Sequence, residues 1–174
     1  MKIRKIFTSC LALVLLLMLF PKNVLAYQPA SHYILMKETT KNLPENSLIR
    51  SALEEYPLIA TWGANGPDLP LIQPRQALGY SPWSDRFHYF KVGSFAKKQL
   101  QDALESNDKK RIAYVAGWIT HVTGDYACHG IFVDPEAGIY LNNPAGRELH
   151  INLESAAESY LWVNKGGFDI SDYS

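Results

Sequence analysis

The chain has 174 residues, 47% of them hydrophobic, and its 17 basic residues balance its 17 acidic ones. A neutral composition without a basic block is a poor match to a general nucleic-acid binder, because neutralising phosphates needs clustered Lys and Arg. Two cysteines exclude a disulfide-dense scaffold, and the length suits one domain with a substantial core.

Residues 1–26 have the organisation of a signal peptide. Lys2, Arg4 and Lys5 form a basic start, Ile6 to Phe20 is an apolar run, and the segment closes on the small-x-small pattern Val24-Leu25-Ala26. A bilayer span needs about 20 apolar residues, so this run is short for an anchor. The expected product is a secreted or surface-located chain beginning at Tyr27. Cleavage removes Lys2, Arg4, Lys5 and Lys22 and no acidic residue, leaving 13 basic against 17 acidic residues, a net charge of −4. Cys128 is then the one remaining cysteine, so a metal rather than an internal disulfide is the available staple for an exported domain.

Beyond Tyr27 the apolar spacing is helical. Helices are predicted over 30–42 and 47–60, the second carrying Leu48, Ile49, Leu53 and Leu58. Residues 61–86 are rich in Gly and Pro and read as a long ordered loop. The loop's aromatics, Trp62, Tyr80 and Trp83, suit a lipid interface, but ordinary core packing is the favoured expectation. Helix resumes over 87–105, with Phe87, Phe90, Val92, Phe95, Leu100 and Leu104 on its apolar side, and Ser106-Asn107-Asp108 is a capping stretch. The segment 109–129 places Ile112, Val115, Ala116, Ile119 and Val122 on one face and Gly117, His121, Gly124, Asp125 and Cys128 on the other. A loop follows over 130–146 and a last helix over 147–163. Strand-like alternation is scarce, so the expected fold is all-α, a single multi-helix domain over 27–174.

The chemistry concentrates in residues 121–130, HVTGDYACHG. His121, Asp125 and His129 follow at i, i+4 and i+8, so on a helix they form a ladder along one side. A rise of about 1.5 Å per residue separates the outer two Cα atoms by about 12 Å, too far for one zinc with bonds of about 2 Å. The ladder therefore implies more than one ion. His150 and Glu154 repeat the i, i+4 spacing, and with His129 they make a two-His, one-carboxylate zinc set with an open position. Asp68 and His88 are candidate partners for His121 and Asp125. His32 lies five residues after Tyr27, whose α-amino group becomes a ligand once deprotonated.

The order amine–His32–Asp68–His88–His121-x3-Asp125–His129–His150-x3-Glu154 resembles the zinc-dependent phospholipase C family, within a superfamily that includes the S1/P1-type nucleases. All five histidines fall in ligand positions. The resemblance implies a helical domain, up to three zinc ions and a secreted hydrolase that cleaves phospholipid headgroups with a metal-activated water. By carry-over, Asp68, His88, His121 and Asp125 hold the first zinc, and His129, His150 and Glu154 the second. The amine and carbonyl of Tyr27 with His32 hold the third, with Asp125 bridging the close pair and Asp68 the candidate general base. The implied partner is a phospholipid, met by a monomer in transient contact with a membrane surface, and nucleic acid is not favoured.

Three features depart from the family pattern. The gap from Asp125 to His129 is two residues shorter than is usual in the secreted phospholipases, and is more like the helical domain of glycosylphosphatidylinositol-specific phospholipase D. Tyr27 stands where Trp is common. The chain also ends soon after its last candidate ligand, as a C-terminally shortened member would. An S1/P1-type single-strand nuclease, or a non-catalytic zinc-stabilised domain binding lipid or a wall component, are the alternative readings.

Overall fold

A computed structural model describes residues 29–72, 82–137 and 144–166. The described residues are helical, with no strand among them, in agreement with the all-α expectation. In chain order they form α1 (Pro29–Asn42), α2 (Leu48–Glu55), α3 (Pro57–Ala64), a 3₁₀ turn (Gly66–Ile72), α4 (Pro82–Tyr89), α5 (Val92–Ser106), α6 (Lys109–Cys128), a π-helical turn (His129–Val133), α7 (Asp134–Ala137) and α8 (Pro144–Lys165). Residues 1–26 and Tyr27 lie outside the described residues, as does Tyr80.

Two predicted helices are each divided in the structure. The 47–60 segment breaks at Tyr56, which takes φ −128° and ψ 58°. Pro57 causes this, because its ring disfavours a helical conformation in the preceding residue. Pro57 then sits at the start of α3, where a missing N–H costs nothing. The 87–105 segment starts earlier than expected, at Pro82, and breaks at Lys91, whose φ of 51° lies in the left-handed region. Lysine gives no sequence signal for that conformation.

The predicted loops are more helical than expected. α3 runs on to Ala64 and the 3₁₀ turn follows, so much of 61–72 is ordered by backbone hydrogen bonds. At the far end of α6 the chain widens into the π turn and enters α7 without a loop, where 130–146 had been expected to be irregular.

α6 is the axis of the fold, packed on α3 most extensively and also on α1, α2 and α5. Glycines permit the closest crossing. A Cβ added at Gly117 would lie 2.1 Å from the Ala60 carbonyl oxygen, and one at Gly63 would lie 1.9 Å from that of Tyr114. The α3 and α6 backbones thus touch directly, and the Gly117 side of α6, expected to be the polar side, is as buried as the other. Alanines dominate the surrounding core, with Ala52, Ala60, Ala64, Ala103, Ala113 and Ala116 packed among Tyr33, Ile34, Leu53 and Ile112. Asp108 caps α6 as its capping stretch predicts, accepting from the Lys110 N–H at 2.9 Å. Glu158 of α8 accepts from the Ser31 N–H at 3.0 Å, tying the last helix to the start of the first.

The aromatics near the site differ in burial. Phe87 packs edge-on against Trp118 with ring centroids 4.8 Å apart. Trp62 and Trp83 are exposed, contrary to the expectation of core packing.

Candidate metal centre

His121 and Asp125 project from α6 one turn apart, as their spacing dictates. Three other elements bring partners to them: His32 from α1, Asp68 from the first turn of the 3₁₀ segment, and His88 from the last turn of α4. His88 Nε2 lies 3.1 Å from Asp125 Oδ2, 3.3 Å from Asp68 Oδ1 and 3.0 Å from His121 Nε2. His32 Nε2 lies 3.6 Å from Asp68 Oδ2 and 3.7 Å from Asp125 Oδ1. His121 Nε2 is 3.7 Å from Asp125 Oδ2 and 3.8 Å from Asp68 Oδ1. The two oxygens of Asp125 therefore face different imidazoles, Oδ1 toward His32 and Oδ2 toward His88 and His121.

Backbone carbonyls set the ring orientations. His121 Nδ1 donates to the Ala64 carbonyl at 2.7 Å, and His88 Nδ1 donates to that of Ser84 at 2.8 Å. These bonds place the lone pair on each Nε2, toward the carboxylates. The His32 and His121 rings also stack, with centroids 3.7 Å apart.

A second cluster forms where α8 passes the π turn. Glu154 Oε1 lies 2.9 Å from His150 Nε2 and 3.3 Å from His129 Nε2. Its side chain is 1% exposed. Asp134 faces the opposite edges of the same rings, its Oδ1 being 3.6 Å from His129 Nδ1 and 3.9 Å from His150 Nδ1. Sequence reasoning missed Asp134. It falls in a segment read as a loop, and its link to His129 depends on a five-residue turn that α-helical spacing does not suggest.

Of the nine residues singled out in the sequence, eight are brought together in these two groups, and Tyr27 lies outside the described residues. His88 and Asp125 of the first group and His129, Asp134 and His150 of the second line one open pocket, together with Tyr89 and Tyr126.

The donor set fits zinc. Imidazole nitrogens and carboxylate oxygens are its common ligands. Asp68 Oδ1, Asp125 Oδ1 and both Glu154 oxygens are buried and receive no hydrogen bond of good geometry. Buried carboxylates left in that state are costly, and a cation would satisfy them.

Without a cation the first cluster is held by proton sharing. Burial opposes charge on His88, but hydrogen bonds to Asp125 and Asp68 outweigh it and raise its pKa to about 10. Burial and the neighbouring His32 lower that of His121 to about 4. Burial would raise the carboxyls of Asp68 and Asp125, yet both are held below the ordinary range by the imidazoles bonded to them. In the metal-free cluster at neutral pH His88 therefore carries a second ring proton. A metal binding at Nε2 must displace it, so uptake releases a proton below pH of about 10. Zinc affinity is expected to climb about tenfold per unit between pH 7.5 and 9, where an ordinary imidazole has already lost its proton. Titration of metal-free protein in weak buffer with a pH indicator checks this; uptake without proton release in that window contradicts the assignment.

No curated protein and no solved structure matches the chain. The family model described as zinc dependent phospholipase C matches residues 31–173, a span that covers both clusters and every described helix from Ser31 onward. The chain belongs to the zinc-dependent phospholipase C family.

Proposed function

We propose that this protein is a secreted phospholipase C that hydrolyses the phosphodiester of phospholipids and releases the phosphorylated headgroup. The observation that carries this reading is the convergence of His32, Asp68, His88, His121 and Asp125, from four separate elements, into one cluster whose His88 and Asp125 line a pocket shared with the His129–His150 pair.

In this reading Asp68, His88, His121 and Asp125 hold one zinc. A second is held by His129, His150 and Glu154. A third is held by His32 with the amine and carbonyl of Tyr27, exposed as a new N-terminus once residues 1–26 are removed. Asp125, like Asp68, turns one oxygen to His32 and the other to the His88–His121 pair, which suits a carboxylate that would serve both ions. Zinc bound there supplies positive charge for the non-bridging phosphate oxygens and lowers the pKa of water toward neutrality. The protein's own part is positional. The carbonyls of Ala64 and Ser84 fix the His121 and His88 rings, and residues of both clusters line the pocket in which a phosphate would be met. Asp68 would act first as a ligand; the imidazoles bonded to it hold its carboxyl below the ordinary range, which makes it a weak proton acceptor.

An apolar rim supports transient contact of a monomer with a lipid surface. Tyr89 and Tyr126 line the pocket and are exposed, Tyr126 to 86%, and Phe90 and Ile131, near them in the chain, are exposed as well. Amphipathic aromatics suit a membrane interface. Among the described residues, no helix is long and apolar enough to cross a membrane.

The test uses the processed, zinc-loaded chain with phosphatidylcholine vesicles. Soluble phosphorylated headgroup is expected, together with three zinc ions per chain by elemental analysis, and a chelator should abolish release. Silence on all phospholipids with zinc in place overturns the proposal, and digestion of single-stranded DNA or RNA instead reassigns it to the nuclease branch.

A further inference from the structure

The π turn gives the second cluster a feature that the ligand spacing does not contain. The Asp134 N–H donates to the carbonyl of His129, five residues back. A π turn stacks residues i and i+5, so Asp134 stands over His129, and Val133, the residue an α-helix would place there, is fully buried elsewhere. The result is a pair of imidazoles held between two carboxylates. Glu154 faces both Nε2 atoms at 2.9 and 3.3 Å, and Asp134 faces both Nδ1 atoms at 3.6 and 3.9 Å.

One ion with bonds of about 2 Å cannot lie on both edges of a ring. Zinc with such bonds spaces its ligand atoms by about 3.3 Å, which matches the Glu154 edge better than the Asp134 edge. A neutral imidazole offers one lone pair and one N–H, so whichever nitrogen takes the metal, the other must donate. At the first cluster the acceptors are the backbone carbonyls of Ala64 and Ser84.

We propose that Asp134 is the positioning residue of the second centre, accepting the Nδ1–H of both His129 and His150 so that their Nε2 lone pairs face the metal beside Glu154. Asp134 is partly exposed at the pocket wall, and its Oδ1 stands within about 0.7 Å of hydrogen-bond length from both Nδ1 atoms. The inference rests on the zinc assignment to His129, His150 and Glu154 and is independent of lipid hydrolysis.

The test is a competition titration of zinc against a chromophoric chelator, using the full processed chain. Asp134→Ala should weaken one zinc by about 10- to 100-fold and leave the others unchanged. Asp134→Asn, isosteric and still able to accept an N–H through its amide oxygen, should lose less. In zinc-loaded unsubstituted protein, imidazole ¹⁵N shifts should show His129 and His150 as Nδ1–H tautomers. Wild-type zinc affinity in both variants overturns the proposal. So does an Asn variant as impaired as the Ala variant, which would make Asp134 a ligand. Nε2–H tautomers overturn it whatever the variants do. A chain that binds zinc as expected but leaves vesicles intact refutes the lipase reading alone.

Discussion

Asp125→Asn is expected to lower kcat/KM for phosphodiester hydrolysis by on the order of 10³-fold and to release zinc from the first cluster. The substitution keeps the shape of the side chain and removes its charge. That charge sits among three imidazoles, 3.1 Å from His88, 3.7 Å from His121 and 3.7 Å from His32. No other described side chain reaches all three with two different oxygens except Asp68, whose Oδ2 faces His32 and whose Oδ1 faces His88 and His121. Asp68 alone cannot supply two metals with anionic donors, so the loss of Asp125 should empty at least one position. Charge stabilisation by a bound metal is worth several kcal/mol, which gives the thousandfold figure. Steady-state assay with elemental analysis of the same sample measures both effects. A variant that keeps its full zinc content and activity within tenfold of wild type removes Asp125 from the centre. Unchanged far-UV circular dichroism separates this result from misfolding.

The parts of this site that were legible in the sequence are those fixed by one helix. His121 with Asp125, and His150 with Glu154, lie four apart, and helical periodicity alone makes each pair meet on one face. Each pair converges in the structure. The approach of His32, Asp68 and His88 depends on how three other elements cross α6. No local spacing encodes that, and the ordered resemblance to a known family supplied the expectation. The crossing itself is set by Gly63 and Gly117, whose missing Cβ atoms let α3 lie against α6 and bring the Ala64 carbonyl to His121.

What the sequence hid are breaks and continuations of helix. Pro57 announces the break at Tyr56 only if the residue before it is read as strained out of the helix. Lys91 adopts a left-handed conformation that its side chain does not predict. The most consequential concealment is at 129–137. The Gly, Asn and Pro content of 130–146 suggested a loop, but the chain keeps its helical path through Ala137 by widening one turn. The widening changes the spacing from four to five, and so brings Asp134 rather than Val133 to His129. A search for carboxylates at i+5 as well as i+4 from each histidine would have found it.

Removal of zinc is expected to lower the melting temperature by about 10 °C or more. The core helps explain why the metals matter for the fold. Six of its buried residues are alanines, which remove less apolar surface from water than Leu or Ile would. The clusters meanwhile join six elements: α1, the 3₁₀ turn, α4, α6, the π turn and α8. Without cations the buried carboxylates of Asp68 and Asp125 depend on the protonated imidazole of His88, while burial keeps His121 neutral at pH 7. Each site occupied at a thousand times its Kd adds about 4 kcal/mol to stability, and a domain of this size gains about 2–4 °C per kcal/mol. One site therefore accounts for roughly 8–16 °C, and more than one for a larger shift. Differential scanning calorimetry before and after chelation reads this directly. Added zinc should restore the transition, whereas magnesium should not, because it favours oxygen donors and most of the donors here are imidazole nitrogens. A melting temperature that moves by less than about 2 °C, in protein shown by elemental analysis to have lost its zinc, would mean that the helices pack without the ions. The histidine clusters would then be ordered by hydrogen bonds and packing alone.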